Sequence, residues 1–327
     1  MTAINNKTIE NCPVPKAELQ IPLSRESNMQ LSKTCKPPFP TASAASNSCR
    51  PLFQITTMTK YFLIIIAFTI CVSCKKEQQP TTVNEFYHPQ VGDSFEWRLD
   101  SIGLNEVNEY NCKIIDIDAF SASRELVDAF HVRGIKVIAY ISVGTIENYR
   151  PDIALLPPEI IGNIYPAWPD ERFLNIREIE KIKPFITSRF DMIKQKGFDG
   201  IEPDNMDGYE EVNGFDLTIS DTKLFCEWII EEAHNRRLSI GQKNTDELVP
   251  LLYKKFDWAL TEDVFNTNTQ NNFSQYISVG KPVFSAEYTD EMNITDFNTF
   301  VCPKAKQLKY FAFLKNRDLT QWTYECN

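Results

Sequence analysis

The chain has 327 residues, 43% of them hydrophobic, with 34 basic and 44 acidic side chains and a net charge of −10. From residue 77 onward there are 25 bases against 41 acids, which excludes a nucleic-acid binder and suits a cationic ligand, although acidity alone means only solubility. Residues 1–57 are rich in Ser, Thr, Pro and Asn, carry scattered Cys12, Cys35 and Cys49, and lack apolar periodicity, so they are expected to be disordered.

Met58-Thr59-Lys60 is followed by an apolar run from Tyr61 to Val72 and then by Ser73-Cys74-Lys75-Lys76. A basic start, an apolar core and a small residue before a cleavage point describe a secretory signal over 58–73. The run is shorter than the roughly 20 residues of a membrane-spanning helix. Cys71-Val72-Ser73-Cys74 resembles the lipobox of bacterial lipoproteins, which implies an exported protein whose mature first residue, Cys74, carries the lipid anchor. A signal that begins at residue 58 implies translation from Met58, with 1–57 a misassigned leader. The alternative is a real extension whose apolar segment stays as a short anchor. A polar tether over 74–90 then leads to one domain, 91–327, of a length common for barrels.

In that domain the expected strands are Phe95 to Leu99, Lys113 to Ile117, Lys136 to Ser142, Phe198 to Ile201, Leu238 to Gly241, Trp258 to Thr261, Pro282 to Ala286 and Tyr310 to Leu314. Several are wholly apolar, as in a parallel sheet covered on both faces. Helical patterns alternate with them: 123–133 stops at Gly134, and 220–236 has Ser220 placed to cap it. Eight strands alternating with helices predict an α/β fold, a (β/α)₈ TIM barrel. Phe173 to Ile176 is a ninth strand-like run that leaves the count open.

In such a barrel the residues just past the strands share one face. They are Asp116 and Asp118; Ser142, Gly144, Glu147 and Arg150; Glu202, Asp204, Asn205 and Asp207, with Tyr209 close behind; Lys243 and Asn244; Glu262 and Asp263; and Glu287 and Tyr288. The three histidines, His88, His131 and His234, lie away from every strand end, which disfavours histidine metal sites and Ser-His-Asp chemistry. Nor is there a phosphate-cradling glycine loop. Carboxylates alone bind magnesium or calcium, or hydrolyse glycosidic bonds as a pair. Hydrolysis without metal or cofactor fits best, with Trp97, Tyr140, Trp168 and Tyr209 available as sugar platforms, although each taken singly is better explained by core packing.

Asp116-Ile117-Asp118, the run from Lys136 to Gly144, Glu147 with Arg150-Pro151-Asp152, Phe173-Leu174-Asn175-Ile176-Arg177 and above all Gly197-Phe198-Asp199-Gly200-Ile201-Glu202-Pro203-Asp204-Asn205 resemble glycoside hydrolase family 114. So do Asn213-Gly214-Phe215, Gly241-Gln242-Lys243-Asn244 and Glu262. The resemblance spans the whole domain and implies a (β/α)₈ barrel that cleaves α-1,4-linked galactosamine polymers internally. It implies Asp204 as nucleophile and Glu262 as general acid and then base, a role that needs a raised pKa, expected from Asp263 and partial burial. The family often has cysteine where this chain has Asp263, so a disulfide near the site is expected to be missing.

A deacetylated galactosamine polymer is a polycation, and Glu202, Asp207, Asp116 and Asp118 are candidates to receive its ammonium groups. Asp116 and Asp118 are equally well explained as partners of barrel backbone or Lys243. The protein is expected to be a monomer whose partners are a cationic polysaccharide and, through Cys74, a membrane. Rival readings are a glycosidase for another α-linked glycan and a non-catalytic lipoprotein that retains an amino-sugar polymer. Export makes one disulfide plausible, and Cys302 with Cys326 is the expected pair; Cys226 reads as core.

Overall fold

Eight short parallel strands carry the site: β1 (Phe95–Arg98), β2 (Ile114–Asp118), β3 (Lys136–Ser142), β4 (Gly200–Asp204), β5 (Ser239–Lys243), β6 (Trp258–Glu262), β7 (Val283–Tyr288) and β8 (Phe311–Lys315). Each pairs in parallel with the next in chain order. This is the expected barrel, seen in a computed structural model that describes residues 86–326. The extension 1–57, the signal 58–73, Cys74 and the tether as far as residue 85 lie outside the described residues.

The seam between β8 and β1 is crossed by side chain and backbone. Lys315 Nζ donates to Glu96 Oε1 at 2.8 Å, and the Leu99 amide donates to the Leu319 carbonyl at 3.0 Å. A last strand not expected from sequence, Thr323–Glu325, runs antiparallel to β8. The ninth run resolves differently from a barrel strand. Phe173 and Leu174 end the strand Trp168–Leu174, which pairs antiparallel with Thr145–Glu147 and Ile161–Tyr165 in a separate three-stranded sheet. That sheet is inserted between β3 and the long helix that returns the chain to β4.

Helices α1 (Arg124–Val132), α2 (Ile179–Lys196) and α3 (Ile219–Asn235) cover β2 to β5 from outside. Ser123 caps α1 through the Leu126 amide. The cap of α3 is Thr218, not Ser220. Thr218 and Asp221 form a reciprocal capping box that satisfies two otherwise orphaned amides. Apolar side chains divide by strand alternation. Phe95, Trp97, Ile114, Ile138, Trp258, Phe284 and Phe313 fill the barrel, while Ile115, Val137, Ile201 and Ile240 face the helices. Gly241 is required inside, because a Cβ there would stand 2.7 Å from the Trp258 ring.

Residues 86–90, expected as tether, pack against the amino-terminal end of the barrel. The Phe86 ring lies 5.1 Å from the His234 ring, and His88 Nδ1 sits 3.2 Å from Asp257. His234 meets the other oxygen of Asp257, and His131 meets Asp199. All three histidines thus serve the pole opposite the acidic strand ends. Among the described residues no helix is long and apolar enough to cross a membrane.

Candidate active site

Three neighbouring strands end in the same way: a charged residue, then one in the left-handed backbone region. Asp204 is followed by Asn205 (φ 62°), Lys243 by Asn244 (φ 45°) and Glu262 by Asp263 (φ 54°). Asn and Asp tolerate this conformation better than other side chains. The chain leaves each strand abruptly, so the charged side chain stands at the rim of the barrel. At β4 the turn is tight enough that a Cβ on Gly144 would lie 1.7 Å from the Asn205 carbonyl oxygen, so the position admits only glycine.

Lys243 is the centre of the cluster. Its Nζ donates to Glu202 Oε1 at 2.9 Å and Asp204 Oδ1 at 2.8 Å, and lies 3.1 Å from Glu262 Oε2. Below, it rests 4.6 Å from the centre of the Trp97 ring. The Lys243 and Glu202 side chains are buried at 2% and 1% exposure, whereas Asp204 and Glu262 keep 18% and 25%. The last two therefore face the cleft. Tyr140 donates to Asp204 Oδ2 at 2.9 Å, so each Asp204 oxygen has one donor. Glu262 is held by Tyr288 through a short hydrogen bond to Oε1 and by Asn244 Nδ2 at 3.0 Å from Oε2. Asn244 Oδ1 in turn accepts the Glu262 amide at 3.0 Å.

Electrostatics here departs from the sequence expectation. Burial pushes the Glu262 pKa up, but the Lys243 ammonium and the donors Tyr288 and Asn244 outweigh it and hold Glu262 below the ordinary carboxylate value. Asp263, expected to raise it, turns to Arg317, 2.8 Å from its Oδ2. Burial, with the nearby Asp204 charge, pushes Asp207 up to about 7. No other described residue donates a hydrogen bond to the Asp207 carboxyl, and it is half-buried beside the cluster.

Other residues expected in the site are braces. Trp97 is 1% exposed, so no sugar can stack on it; it is the floor under Lys243. Arg150 Nη2 occupies Asp118 Oδ2 at 2.6 Å, and the Ser121 amide occupies Oδ1 at 2.7 Å. Asn205 donates to Ser142 Oγ and Thr145 Oγ1, which ties the β4 turn to the inserted sheet. Glu287 accepts the Phe265 and Asn266 amides and so shapes the loop after β6. Tyr209 donates to Glu247 at 2.7 Å, and neither belongs to the Lys243 cluster. Asp116 is fully buried beside Glu202.

Sequence reading missed the inserted sheet and with it Glu171 and Tyr165. Glu171 accepts from Thr145 and Asn205, and burial pushes it up to about 7. Tyr165 feels the charges of Asp207, Asp204 and Glu262. It pairs with Trp168 across the tip of the hairpin, where Trp168 is 49% exposed. Tyr165-Pro166-Ala167-Trp168 was the available signal, a two-residue connection between β-rich runs. Among the described residues no group of three His, Cys, Asp or Glu is arranged to hold a metal ion.

The profile of glycoside-hydrolase family GH114 matches residues 75–327. The crystal structure of Ega3 from Aspergillus fumigatus in complex with galactosamine is 30% identical, covers 74% of this chain and 98% of its own, and superposes with a TM-score of 0.70. The glycoside hydrolase domain of PelA from Pseudomonas aeruginosa shares the fold at 13% identity, over 71% of this chain and 98% of that one, with a TM-score of 0.57. An uncharacterized protein of Methanocaldococcus jannaschii, MJ1477, is 26% identical over 238 residues, 62% of this chain and 68% of that one. The chain belongs to glycoside-hydrolase family GH114, and it is a glycoside hydrolase.

Proposed function

We propose that the protein is a retaining endo-hydrolase of α-1,4-linked galactosamine polymers, with Asp204 as nucleophile and Glu262 as acid and then base. The observation that carries this reading is the shared ammonium of Lys243. Contacts of 2.8 and 3.1 Å from one nitrogen keep those two carboxylate oxygens within about 6 Å of each other, which supports the shorter separation of roughly 5–5.5 Å between the carboxyl groups of a retaining pair.

In the first step an Asp204 oxygen attacks the anomeric carbon as the glycosidic C–O bond breaks, and Glu262 gives its proton to the departing oxygen. In the second step ionised Glu262 takes a proton from water, whose oxygen displaces Asp204. Because Glu262 is held below the ordinary carboxylate value, the protonated form needed first is scarce at neutral pH. Turnover is therefore expected to rise as pH falls from 7 toward 5.

Substrate class follows from charge. Among the described residues, Glu202, Asp204, Glu262 and Asp207 stand around the single cation Lys243, and of these acids Asp204 and Glu262 face the cleft. No other described residue donates to the Asp207 carboxyl, so an ammonium group of a deacetylated sugar would satisfy it. The galactosamine bound to Ega3 supports the same choice of sugar. The lipobox-like segment supports placing this activity at a membrane surface, through a lipid on Cys74.

The test is incubation with defined galactosamine and N-acetylgalactosamine oligomers, with the products followed by NMR. Internal cleavage of the deacetylated oligomers with first-formed α-anomers is expected. Asp204→Asn should cost at least about a thousandfold in turnover with polymer binding kept, and Glu262→Gln should slow poor leaving groups most. First-formed β-anomers would overturn the retaining assignment, and preference for the acetylated oligomer would overturn the substrate.

A further inference from the structure

Beneath the rim carboxylates lie two buried acids with too few donors between them. Asp116, at the middle of β2, is 0% exposed, and neither of its oxygens has a hydrogen-bond partner among the described residues. Glu202 Oε1 takes Lys243 Nζ at 2.9 Å, while its Oε2 has none. An ammonium has three N–H donors. Those of Lys243 are directed to Glu202, Asp204 and Glu262, which leaves none for Asp116.

Among the described residues the surroundings offer no other cation. Alongside Asp116 in register are Trp97 on β1 and Ile138 on β3, and the ionisable groups facing it are Glu202 and Asp204 on β4 and Lys243 on β5. Two neighbouring buried carboxylates cannot both stay charged, since their repulsion adds to the cost of burial. A single proton between them removes the repulsion and supplies the missing donor. It belongs on Asp116, because Glu202 already has the Lys243 ammonium on its other oxygen and is the better stabilised anion.

We infer that Asp116 is a protonated positioning residue. Its O–H donates to Glu202 Oε2, fixes the Glu202 carboxylate, and through it holds Lys243 in place under Asp204 and Glu262. Burial and the Glu202 charge both hold Asp116 well above the ordinary carboxylate value, in keeping with this form at neutral pH. The consequence for turnover rests on the assignment of Asp204 and Glu262 as the catalytic pair; the protonation state does not.

The test compares Asp116→Asn and Asp116→Ala with the wild type by infrared difference spectroscopy and by kinetics on galactosamine oligomers. The wild-type-minus-Asp116→Asn difference spectrum at pH 7 should contain the carbonyl stretch of a buried protonated carboxylic acid. An amide N–H replaces the acid O–H at equal size, so Asp116→Asn should keep kcat within about threefold. Loss of that one buried donor in Asp116→Ala should lower kcat about tenfold or more with little change in KM. A merely structural Asp116 would change the amount of folded enzyme, not kcat per active site. Equal loss of kcat in both variants, or no band lost in Asp116→Asn, overturns the proposal. If Asp116→Ala does not fold, Asp116→Asn and the infrared spectra still decide it. If the wild type is inactive on the oligomers, the band still tests the proton and the failure lies with the substrate.

Discussion

Lys243 Nζ lies 2.8 Å from Asp204 Oδ1, and the same nitrogen is 3.1 Å from Glu262 Oε2. One buried cation therefore sets both the spacing of the two rim carboxylates and the ionisation of Glu262.

Replacing that cation should disturb spacing and titration together. In Lys243→Met the buried Glu202 and the two rim carboxylates lose their shared partner, a change that costs about 3–5 kcal/mol for a buried pair broken from one side. Turnover should fall at least about a hundredfold, and the alkaline limb of the pH–rate profile should move upward because Glu262 loses the charge that depresses it. Thermal melts and pH profiles measure these effects. An unmoved alkaline limb would show that Lys243 does not control Glu262.

Stability should depend on pH in two windows with opposite signs. Burial pushes Glu171, Glu287 and Asp207 up to about 7, whereas the unfolded chain titrates near 4. A raised folded pKa gives stability that is present below about pH 4 and lost as pH rises through 7. Asp118 has the reverse sign: burial opposes its charge, but Arg150 outweighs it and holds the pKa low, so its contribution is lost only as pH falls below about 4. The melting temperature of the ligand-free protein should therefore peak near pH 5, fall toward pH 8 and fall again in acid. Glu171→Gln should flatten the upper slope, and Arg150→Met the lower one.

Cys302 and Cys326 are joined, as expected from export, and the bond ties the antiparallel last strand to the helix before β8. The bridged residues are 24 apart in sequence, and closing a loop of that size stabilises by about 3.5 kcal/mol in the chain-entropy account. Cys302→Ser or added reductant should lower the melting temperature by roughly 7–14 °C in a domain of this size. Cys112 and Cys226 are free thiols, and burial pushes the Cys112 thiol up to about 12. Neither should react with a mild alkylating reagent before unfolding, which mass analysis can follow.

The proposed anchor is tested on the gene expressed from Met58. The product should take up fatty-acid label and sediment with membranes, and Cys74→Ala should abolish the label. Peptides from residues 1–57 in native protein would refute a start at Met58.

The barrel was legible because its signals are local. Apolar runs such as 136–142 and 258–261 need only the period of the strand and the Gly or turn residues beside them. Acids at strand ends were legible for the same reason, since a strand end is a place in the sequence as well as in space. The inserted sheet was not, because Phe173 and Leu174 are as buried and apolar as barrel residues and periodicity does not say which sheet a strand joins. Trp97 was misplaced for a related reason: alternation puts its side chain inside the barrel without saying how deep.

Sequence alone determined the family pattern, the strand ends at Asp204 and Glu262, the absence of histidine from that face and the excess of acid there. Only the tertiary structure decided how those acids share Lys243, that Lys243 lowers the Glu262 pKa, that Asp118 belongs to Arg150 and that Asp116 finds no donor among the described residues. Charge state and hydrogen bonding depend on distances of a few ångströms between residues dozens of positions apart, in a medium that burial makes poorly screening. Neither the distance nor the burial is a property of any one segment.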